Sequence, residues 1–173
     1  SYESNYITLN VSTPYLASGG TSASSEKPNS GKYAYFHDGI LTLNEFTHEK
    51  GISTTGDLKI ELTGTNKIGT ATYNGNNNGS TPDNDIKVTS GNLTIVGPGS
   101  LTLQKAVNTS LYVKGNLIIK DGADIKIYGG NFGQAIHTDQ SSAAITITGS
   151  ETKVEATGGY RGSINAGSGG SID

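Results

Sequence analysis

A short phrase repeats along this chain and restricts its fold more than any other feature. The phrase is a turn followed by alternating apolar residues, and it reads GDLKI at 56–60, GNLTI at 91–95, GNLII at 115–119 and, in diverged form, AAITI at 143–147. Successive copies begin 35, 24 and 28 residues apart. A single repeat of this size cannot bury its apolar face alone, so neighbouring repeats have to stack. The sequence therefore predicts a stacked-repeat architecture.

Each copy contributes two pairs of apolar residues at i, i+2 spacing. Residues with this spacing lie on one face of a β-strand. A turn rich in Gly, Thr and Asp separates the first pair from the second. The first pairs are Leu58 and Ile60, Leu93 and Ile95, Leu117 and Ile119, and Ile145 and Ile147; the second pairs are Leu101 and Leu103, Ile125 and Ile127, and Val154 and Ala156. We expect both pairs to point into a shared core.

A third, shorter segment completes each repeat with one apolar residue followed by polar ones. The segments are GIST at 51–54, DIKV at 85–88, AVNT at 106–109, AIHT at 135–138 and SINA at 163–166. Three short strands per coil predict an all-β, right-handed, single-stranded parallel β-helix (a β-solenoid) of about five to six coils. In this alignment His137 takes the position of Asn108 and Asn165, which predicts a stacked polar ladder on one face.

The chain divides into two regions. Residues 1–39 are predicted to hold an N-terminal strand, a flexible low-complexity loop and a cap, and residues 40–173 to hold the coils, with an inserted loop at 69–84. The closing GSGGSID at 167–173 reads as the start of another coil. We therefore expect an incomplete C-terminal end, as in a fragment of a longer protein, with end-to-end self-association as the alternative.

Composition narrows the class of protein. Hydrophobic content is 32%, which suits a solenoid because only a thin apolar column has to be filled. The net charge is −3, and Arg161 is the only arginine, so we expect no nucleic-acid partner. The absence of cysteine excludes a disulfide scaffold and a cysteine metal site. No segment approaches the ~20 apolar residues of a transmembrane helix, so we expect no membrane insertion.

Three stretches carry a family resemblance. They are ILTLNEFTHEKGISTTGDLKIELTGTNKI at 40–68, SGNLTIVGPGSLTL at 90–103 and KVEATGGYRGSINAG at 153–167. Together they resemble the coil motifs of secreted bacterial β-helix proteins, common in Firmicutes, that are labelled "carbohydrate-binding domain-containing". The resemblance covers roughly residues 40–173. It implies an extracellular or cell-wall location and, in some members, calcium and acidic plant polysaccharide as ligands.

Aromatic side chains are the candidate sugar contacts. Tyr112 and Tyr128 alternate with inward-pointing apolar residues and are therefore predicted to face outward. Phe132 and Tyr160 stand in matching Gly-rich turns, GGNFG and GGYRG. Exposed rings on a rigid scaffold can stack on the apolar faces of sugars. The predicted ligand-binding residues are these four and Arg161, which would pair with an acidic glycan. The alternative is that these rings only cover turns. Tyr73, in the inserted loop, is a weaker candidate.

Turn carboxylates are the candidate metal ligands. Asp83 and Asp85 cluster in the inserted loop, at its C-terminal end, and Asp121 and Asp124 share a turn between two strands. Calcium binds six to eight oxygen atoms, which carboxylates and turn carbonyls supply. These residues predict a calcium site, and calcium is the candidate cofactor. The alternative is that the acids only form turns, since Asp favours turns by bonding to its own backbone.

These features favour an extracellular, non-catalytic carbohydrate-binding or adhesive surface module, assisted by calcium and directed at acidic polysaccharide or cell-wall glycan. One alternative is a structural stalk of a longer cell-surface protein. The other is a polysaccharide lyase or hydrolase of the pectin-degrading type. No catalytic residue is assigned, because no acid lies near Arg161 in the sequence and no acid pair suited to hydrolysis stands out. We therefore expect no enzymatic activity.

Overall fold

The computed structural model describes residues 5–69, 82–104, 106–130, 133–158, 162–166 and 170–173. Within these ranges the chain is all-β, with almost no helix. The strands are β1 Tyr15–Ala17, β2 Tyr33–His37, β3 Ile40–Asn44, β4 Thr47–His48, β5 Ile52–Thr54, β6 Leu58–Thr63, β7 Thr65–Ile68, β8 Ile86–Val88, β9 Leu93–Val96, β10 Ser100–Leu103, β11 Leu111–Val113, β12 Leu117–Lys120, β13 Asp124–Tyr128, β14 Ile136–Thr138, β15 Ala144–Ile147, β16 Lys153–Thr157, β17 Ile164–Asn165 and β18 Ser171–Ile172.

From β3 onward, successive strands enter three sheets in turn, and each strand pairs in parallel with the strand three places later. The first sheet has the order β1-β2-β3-β6-β9-β12-β15-β18, the second β16-β13-β10-β7-β4, and the third β17-β14-β11-β8-β5. The predicted stacked architecture of parallel strands is thus confirmed as a β-solenoid-like fold. The described strands make five three-strand coils, followed by β18.

The core is a set of apolar columns that run through the stacked coils. In the first sheet Leu58 is aligned with Leu93, Leu93 with Leu117, and Leu117 with Ile145. The second pairs are aligned in the same way along β10, β13 and β16. Most of these side chains are fully buried, and each stabilises the fold by ~1.5–3 kcal/mol through apolar burial. Both sets of inward pairs predicted from the sequence are confirmed.

The prediction for the third segment was wrong in one coil. The third-sheet strand there is β11, Leu111–Val113, and not AVNT at 106–109; Leu111 is aligned with Ile86 and Ile136. Residues 106–109 instead form a connection, in which the N–H groups of Val107 and Asn108 donate to the carbonyls of residues 82 and 83. One apolar residue among polar ones fits both roles, so the pattern could not separate them.

Side-chain hydrogen bonds explain why the phrase G-(N/D)-L repeats. The N–H of Asn92 donates to Oδ1 of Asp57 (2.8 Å), the N–H of Asn116 to Oδ1 of Asn92 (2.7 Å), and the N–H of Ala144 to Oδ1 of Asn116 (2.8 Å). We call Asp57, Asn92 and Asn116 the corner ladder. Each ladder side chain accepts a bond from the next coil, while the following Leu enters the core.

The N-terminal region extends the first sheet with antiparallel strands. β2 pairs with β3 and with β1, so that Tyr15 lies opposite Tyr35. The N-terminal strand predicted within residues 1–39 corresponds to β1, and Tyr6 also forms a parallel bridge with Gly51. The following loop is tied to β4, since Nε2 of His48 lies 2.7 Å from the carbonyl of Gly20.

At the other end, β18 pairs in parallel with β15, with Ile172 aligned with Ile145. β18 therefore takes the position of the first strand of a further coil. Most of the inserted loop predicted at 69–84 lies outside the described residues. Among the residues that are described, no helix is long and apolar enough to cross a membrane.

Candidate functional site

An aromatic cluster lies on the outer face of the first sheet. In β2, Ala34 is buried and Phe36 packs against the core, so the alternating Tyr33, Tyr35 and His37 face outward. Tyr15 joins them from β1, because it is paired with Tyr35 across the two strands. We call Tyr15, Tyr33, Tyr35 and His37 the aromatic surface.

The rings of the aromatic surface hold one another in place. The centroids of Tyr15 and Tyr35 are 4.5 Å apart and the rings are stacked, and Tyr35 stacks on His37 at 6.0 Å. Tyr33 meets Tyr15 edge to face at 5.7 Å, and Nζ of Lys27 lies 5.3 Å from the centroid of Tyr33. Aromatic pairs in these geometries stabilise one another by ~0.5–1.5 kcal/mol. The cluster is therefore a preorganised surface of partly exposed rings.

An open groove of about 530 Å³ adjoins the aromatic surface and crosses β3, β6, β9 and β12. It starts beside His37, which is paired with Ile40. The corner ladder forms one wall. The floor consists of outward side chains aligned across the four strands, namely Ile40, Lys59, Thr94 and Ile118. We call this the ladder groove. It places apolar side chains and amide groups side by side along the stacked coils.

Charged groups near the ladder groove include two close pairs and the carboxylate of Asp57 in the wall. His37 Nε2 is 3.1 Å from Asp38 Oδ2, and Nζ of Lys59 is 3.4 Å from Oε1 of Glu61. Exposed pairs of this kind contribute little to stability, and together with Asp57 they leave no surplus of positive charge on this face. The groove is therefore suited to a ligand recognised through ring faces and hydroxyl groups.

A second polar cluster lies on the outer face of the third sheet. The phenol of Tyr112 donates to Oδ2 of Asp139 (2.7 Å), and Nζ of Lys114 lies 3.4 Å from the same oxygen. His137 is aligned with Tyr112, and its Nε2 lies 3.5 Å from Oδ1 of Asp139. Asn165 follows His137 on β17. The predicted polar ladder thus holds for His137 and Asn165, but Tyr112 stands where Asn108 was expected.

This cluster fixes the protonation states of two of its members. Burial, and then the hydrogen bond to Asp139, raise the pKa of Tyr112 to about 12. That hydrogen bond is also the main reason why the pKa of Asp139 is lowered, with Lys114 and His137 adding to the effect. At neutral pH Tyr112 is therefore a neutral donor and Asp139 an ionised acceptor.

We expect the contribution of Tyr112 to stability to disappear at high pH. Its folded pKa is about 12 against an ordinary value of 10.0, so the fold favours the protonated phenol. Such a contribution is complete below pH 10 and declines as the pH rises towards about 12. The difference in free energy of unfolding between the protein and Tyr112→Phe, measured by urea denaturation, should shrink over this range. In an Asp139→Asn background the same difference should depend less on pH; equal pH dependence in both backgrounds would contradict the assignment.

Two of the predicted sugar contacts, Tyr112 and Tyr128, lie among the described residues, and the structure places them apart. Tyr112 and Tyr128 do face outward, since their neighbours in β11 and β13 are buried, and Tyr128 is 41% exposed. They lie on different sheets, however: Tyr112 is on the third and Tyr128 on the second. Phe132, Tyr160, Arg161 and the weaker candidate Tyr73 lie outside the described residues. The role of all these residues in binding stays a prediction.

The predicted metal ligands lie at two different corners of the solenoid. Asp83 and Asp85 precede β8, between the second and third sheets, and Asp85 is fully buried. Asp121 and Asp124 lie at the turn from β12 to β13, between the first and second sheets, where Asp121 has a φ of 56° as a turn residue. In the described part of the chain no three His, Asp or Glu side chains come together to hold a metal ion. The calcium site stays a prediction.

The aromatic surface was missed by the sequence reasoning, although part of its signal was present. YAYFH at 33–37 alternates aromatic and core residues, which predicts one strand face carrying Tyr33, Tyr35 and His37. The contribution of Tyr15 depends on a pairing across a loop of 15 residues between β1 and β2. No local pattern predicts that pairing.

Comparison of the chain with protein-family models, curated proteins and solved structures finds no match. The resemblance to secreted β-helix proteins therefore stays a prediction. The fold alone defines the class of this molecule: it is an all-β chain of stacked parallel coils.

Proposed function

We propose that this chain is a non-catalytic carbohydrate-binding module whose ligand lies on the outer face of the first sheet. One observation carries the proposal: a preorganised aromatic surface adjoins a groove lined with amide groups. Aromatic faces attract the C–H faces of sugar rings, and amides pair with their hydroxyl groups. Because the rings are already packed on one another, little side-chain entropy is lost on binding.

The charge balance of this face favours a neutral glycan. His37 and Lys59 already have acidic neighbours at 3.1 and 3.4 Å. A ligand with many carboxylates would have to compete with those neighbours. The proposal thus keeps the carbohydrate ligand that the resemblance implies and replaces the acidic glycan with a hydroxyl-rich one.

Replacing Tyr35 with alanine is the direct test. Tyr35 stacks on both Tyr15 and His37, so its loss should open the centre of the aromatic surface. We expect a loss of glycan affinity of about tenfold, since ~1.4 kcal/mol of lost stacking corresponds to that factor. A glycan array would identify a ligand, and titration calorimetry would measure the affinity of Tyr35→Ala against the unchanged protein.

The matched control is Tyr128→Ala, which removes an exposed tyrosine from the second sheet. Full affinity in this variant, with the loss confined to Tyr35→Ala, would support the proposed face. Equal losses in both variants, or none in either, would overturn it. No retention of any glycan by the unchanged protein would favour the structural stalk, and release of reducing ends from a glycan would favour an enzyme.

We propose calcium assistance as a separate hypothesis, motivated by Asp83, Asp85, Asp121 and Asp124. If calcium binds, its removal with EDTA should lower the melting temperature or the glycan affinity. If neither changes, the calcium hypothesis is wrong, whereas the binding face is unaffected. We also propose an extracellular or cell-wall location, supported by the resemblance of residues 40–173 to secreted proteins.

We infer that the coils wind in the right-handed sense. The support is general, since roughly 98% of parallel crossovers between strands of one sheet are right-handed. An experimentally determined structure with left-handed coils would overturn the inference.

A further inference from the structure

We propose that the ladder groove binds a linear, extended, neutral polysaccharide that runs along the stacking direction, with about one sugar per coil. This inference rests on the proposed carbohydrate-binding function and adds the class of the glycan, its direction and its minimum length. It starts from the recurrence of outward side chains at equivalent positions on successive coils of the groove, with an amide at two of the three wall positions. The other described clusters lack this recurrence of amides: the aromatic surface lies on two antiparallel strands, and the third-sheet cluster places Tyr112, His137 and Asn165 at successive coils.

The groove repeats with the period of the coils. Its wall presents Asp57, Asn92 and Asn116 from three successive coils, each at the same position before the first-sheet strand. Its floor residues are likewise aligned from strand to strand. Neighbouring strands lie ~4.8 Å apart, so equivalent groups recur at that interval along the groove. A ligand that uses several of them at once must itself repeat at nearly this interval.

The wall offers hydrogen-bond donors that the fold leaves open. Oδ1 of Asn92 and of Asn116 accepts a backbone N–H of the next coil, at 2.7 and 2.8 Å. The ladder therefore fixes each amide through its oxygen. The amide nitrogens make no hydrogen bond with any described residue, and both side chains are exposed along the groove. Each nitrogen carries two N–H donors, which suit hydroxyl or ring oxygens.

The floor selects for a ligand with apolar as well as polar faces. Ile40 and Ile118 contribute aliphatic carbons at the two ends of the floor, and Thr94 contributes a methyl group between them. Lys59 is held by Glu61 and leaves the floor without a free positive charge. A pyranose ring matches this pattern, because its C–H face can lie on the floor while its equatorial hydroxyls reach the wall.

The period then distinguishes among polymers. An extended polypeptide advances ~3.3 Å per residue and would lose register with the coils after one step. A glycan linked through equatorial positions, such as a β-1,4-linked glucan or xylan, advances by about one coil height per sugar. Coiled glycans, such as an α-1,4-linked glucan, do not keep that spacing along a straight line. The groove is therefore matched to β-1,4-linked chains.

The length of the groove sets the length of the ligand. From His37 on β2 to Ile118 on β12, the edge of the aromatic surface and the ladder groove together span five neighbouring strands. Four intervals of ~4.8 Å give roughly 19 Å, which is room for about four sugars. Affinity should therefore increase with each added sugar up to a tetrasaccharide and then level off.

The test is calorimetric titration of the whole chain with β-1,4-linked gluco- and xylo-oligosaccharides, from the disaccharide to the hexasaccharide. Asn92→Asp and Asn116→Asp remove the amide donors but keep the acceptor oxygen of the ladder, as Asp57 does naturally. We expect each variant to weaken tetrasaccharide binding about threefold to tenfold, the effect of one or two neutral hydrogen bonds. Asn10→Asp, at an exposed site that does not line the groove, controls for the added charge and should bind normally.

A second variant tests the far end of the groove without touching the ladder. Ile118→Gln replaces an outward floor residue on β12, so it should weaken the tetrasaccharide but leave the disaccharide unchanged. The Ile118→Gln variant also tests the groove if an asparagine variant fails to fold.

Failure of this inference can be distinguished from failure of the proposed function. If the chain binds glycans through Tyr35 but binds a disaccharide as tightly as a hexasaccharide, or binds only helical or branched glycans, the inference is overturned and the proposed function stands. If no glycan binds, both the inference and the proposed function are wrong. A rise in affinity up to four sugars, lowered by the asparagine and Ile118 variants, supports the inference.

Discussion

Replacing Gly115 with alanine is expected to lower the free energy of unfolding by about 3 kcal/mol, at the upper end of the usual cost of overpacking. Gly115 stands directly before the corner-ladder residue Asn116. A Cβ atom at Gly115 would lie 2.4 Å from Oδ1 of Asn92 and 2.5 Å from the carbonyl oxygen of Gly91. Both oxygens belong to the preceding coil. The coils would have to move apart, and the ladder bond between Asn92 and Asn116 would lengthen or break.

The same repeat provides a matched control. Gly56 has the equivalent place in the first copy of the phrase, where an added Cβ would have no atom within 4 Å. Gly56→Ala should therefore leave stability unchanged or raise it slightly, because alanine has less freedom in the unfolded chain. Thermal unfolding of the two variants checks the prediction, since each kcal/mol shifts the melting temperature by roughly 2–4 °C at this size. Equal shifts would show that coil-to-coil contact is not the cause.

Replacing Asn66 with alanine is expected to cost about 3 kcal/mol or more. Asn66 is fully buried and is aligned with Leu101 in an otherwise apolar column. Its Oδ1 accepts the N–H of Phe46 (2.7 Å), and its Nδ2 donates to the carbonyls of Thr63 (3.2 Å) and Ser100 (3.1 Å). Alanine would leave these buried backbone groups unpaired, at roughly 1–3 kcal/mol for each group.

A leucine at this position separates hydrogen bonding from packing. Asn66→Leu restores the volume and continues the column of Leu101, but it still leaves the N–H of Phe46 unpaired. We expect it to recover only part of the loss, as measured by denaturant unfolding. Asn108→Ala, at an exposed asparagine, should change stability by no more than about 0.5 kcal/mol. A leucine variant as stable as the unchanged protein would mean that the Asn66 hydrogen bonds contribute nothing net.

Stacking was predictable from the sequence because its cause is local. Leu58, Leu93 and Leu117 each stand two residues before a second apolar residue, and that spacing alone assigns a buried strand face. The third strand was harder to locate, because three residues carry too little pattern. Val107 and Leu111 both fit a core position, and only pairing with Ile86 assigns the strand to Leu111. That pairing is a contact between coils.

The candidate site was harder to predict from the sequence, because it too depends on contacts between residues that are distant in the chain. Parity predicted that Tyr112 and Tyr128 face outward, but parity does not say which sheet carries a residue. The aromatic surface forms where Tyr15 meets Tyr35 across antiparallel strands, so it depends on how the N-terminal region folds back. The corner ladder was visible as a repeated turn, yet its hydrogen bonds connect residues 24 to 35 positions apart.

The corner ladder also gives the molecule a direction. In each of its bonds the later coil donates and the earlier coil accepts, from Asn92 to Asp57, and from Asn116 to Asn92. A chain synthesised from its N-terminus thus meets each acceptor already in place, and every finished coil is a template for the next. The series stops at Ala144, which donates to Asn116 but has no side-chain acceptor of its own. Stacking nevertheless continues past the last ladder acceptor, because the N–H of Ser171 donates to the carbonyl of Ala143 (3.0 Å) and β18 pairs with β15, so backbone pairing alone carries the final coil.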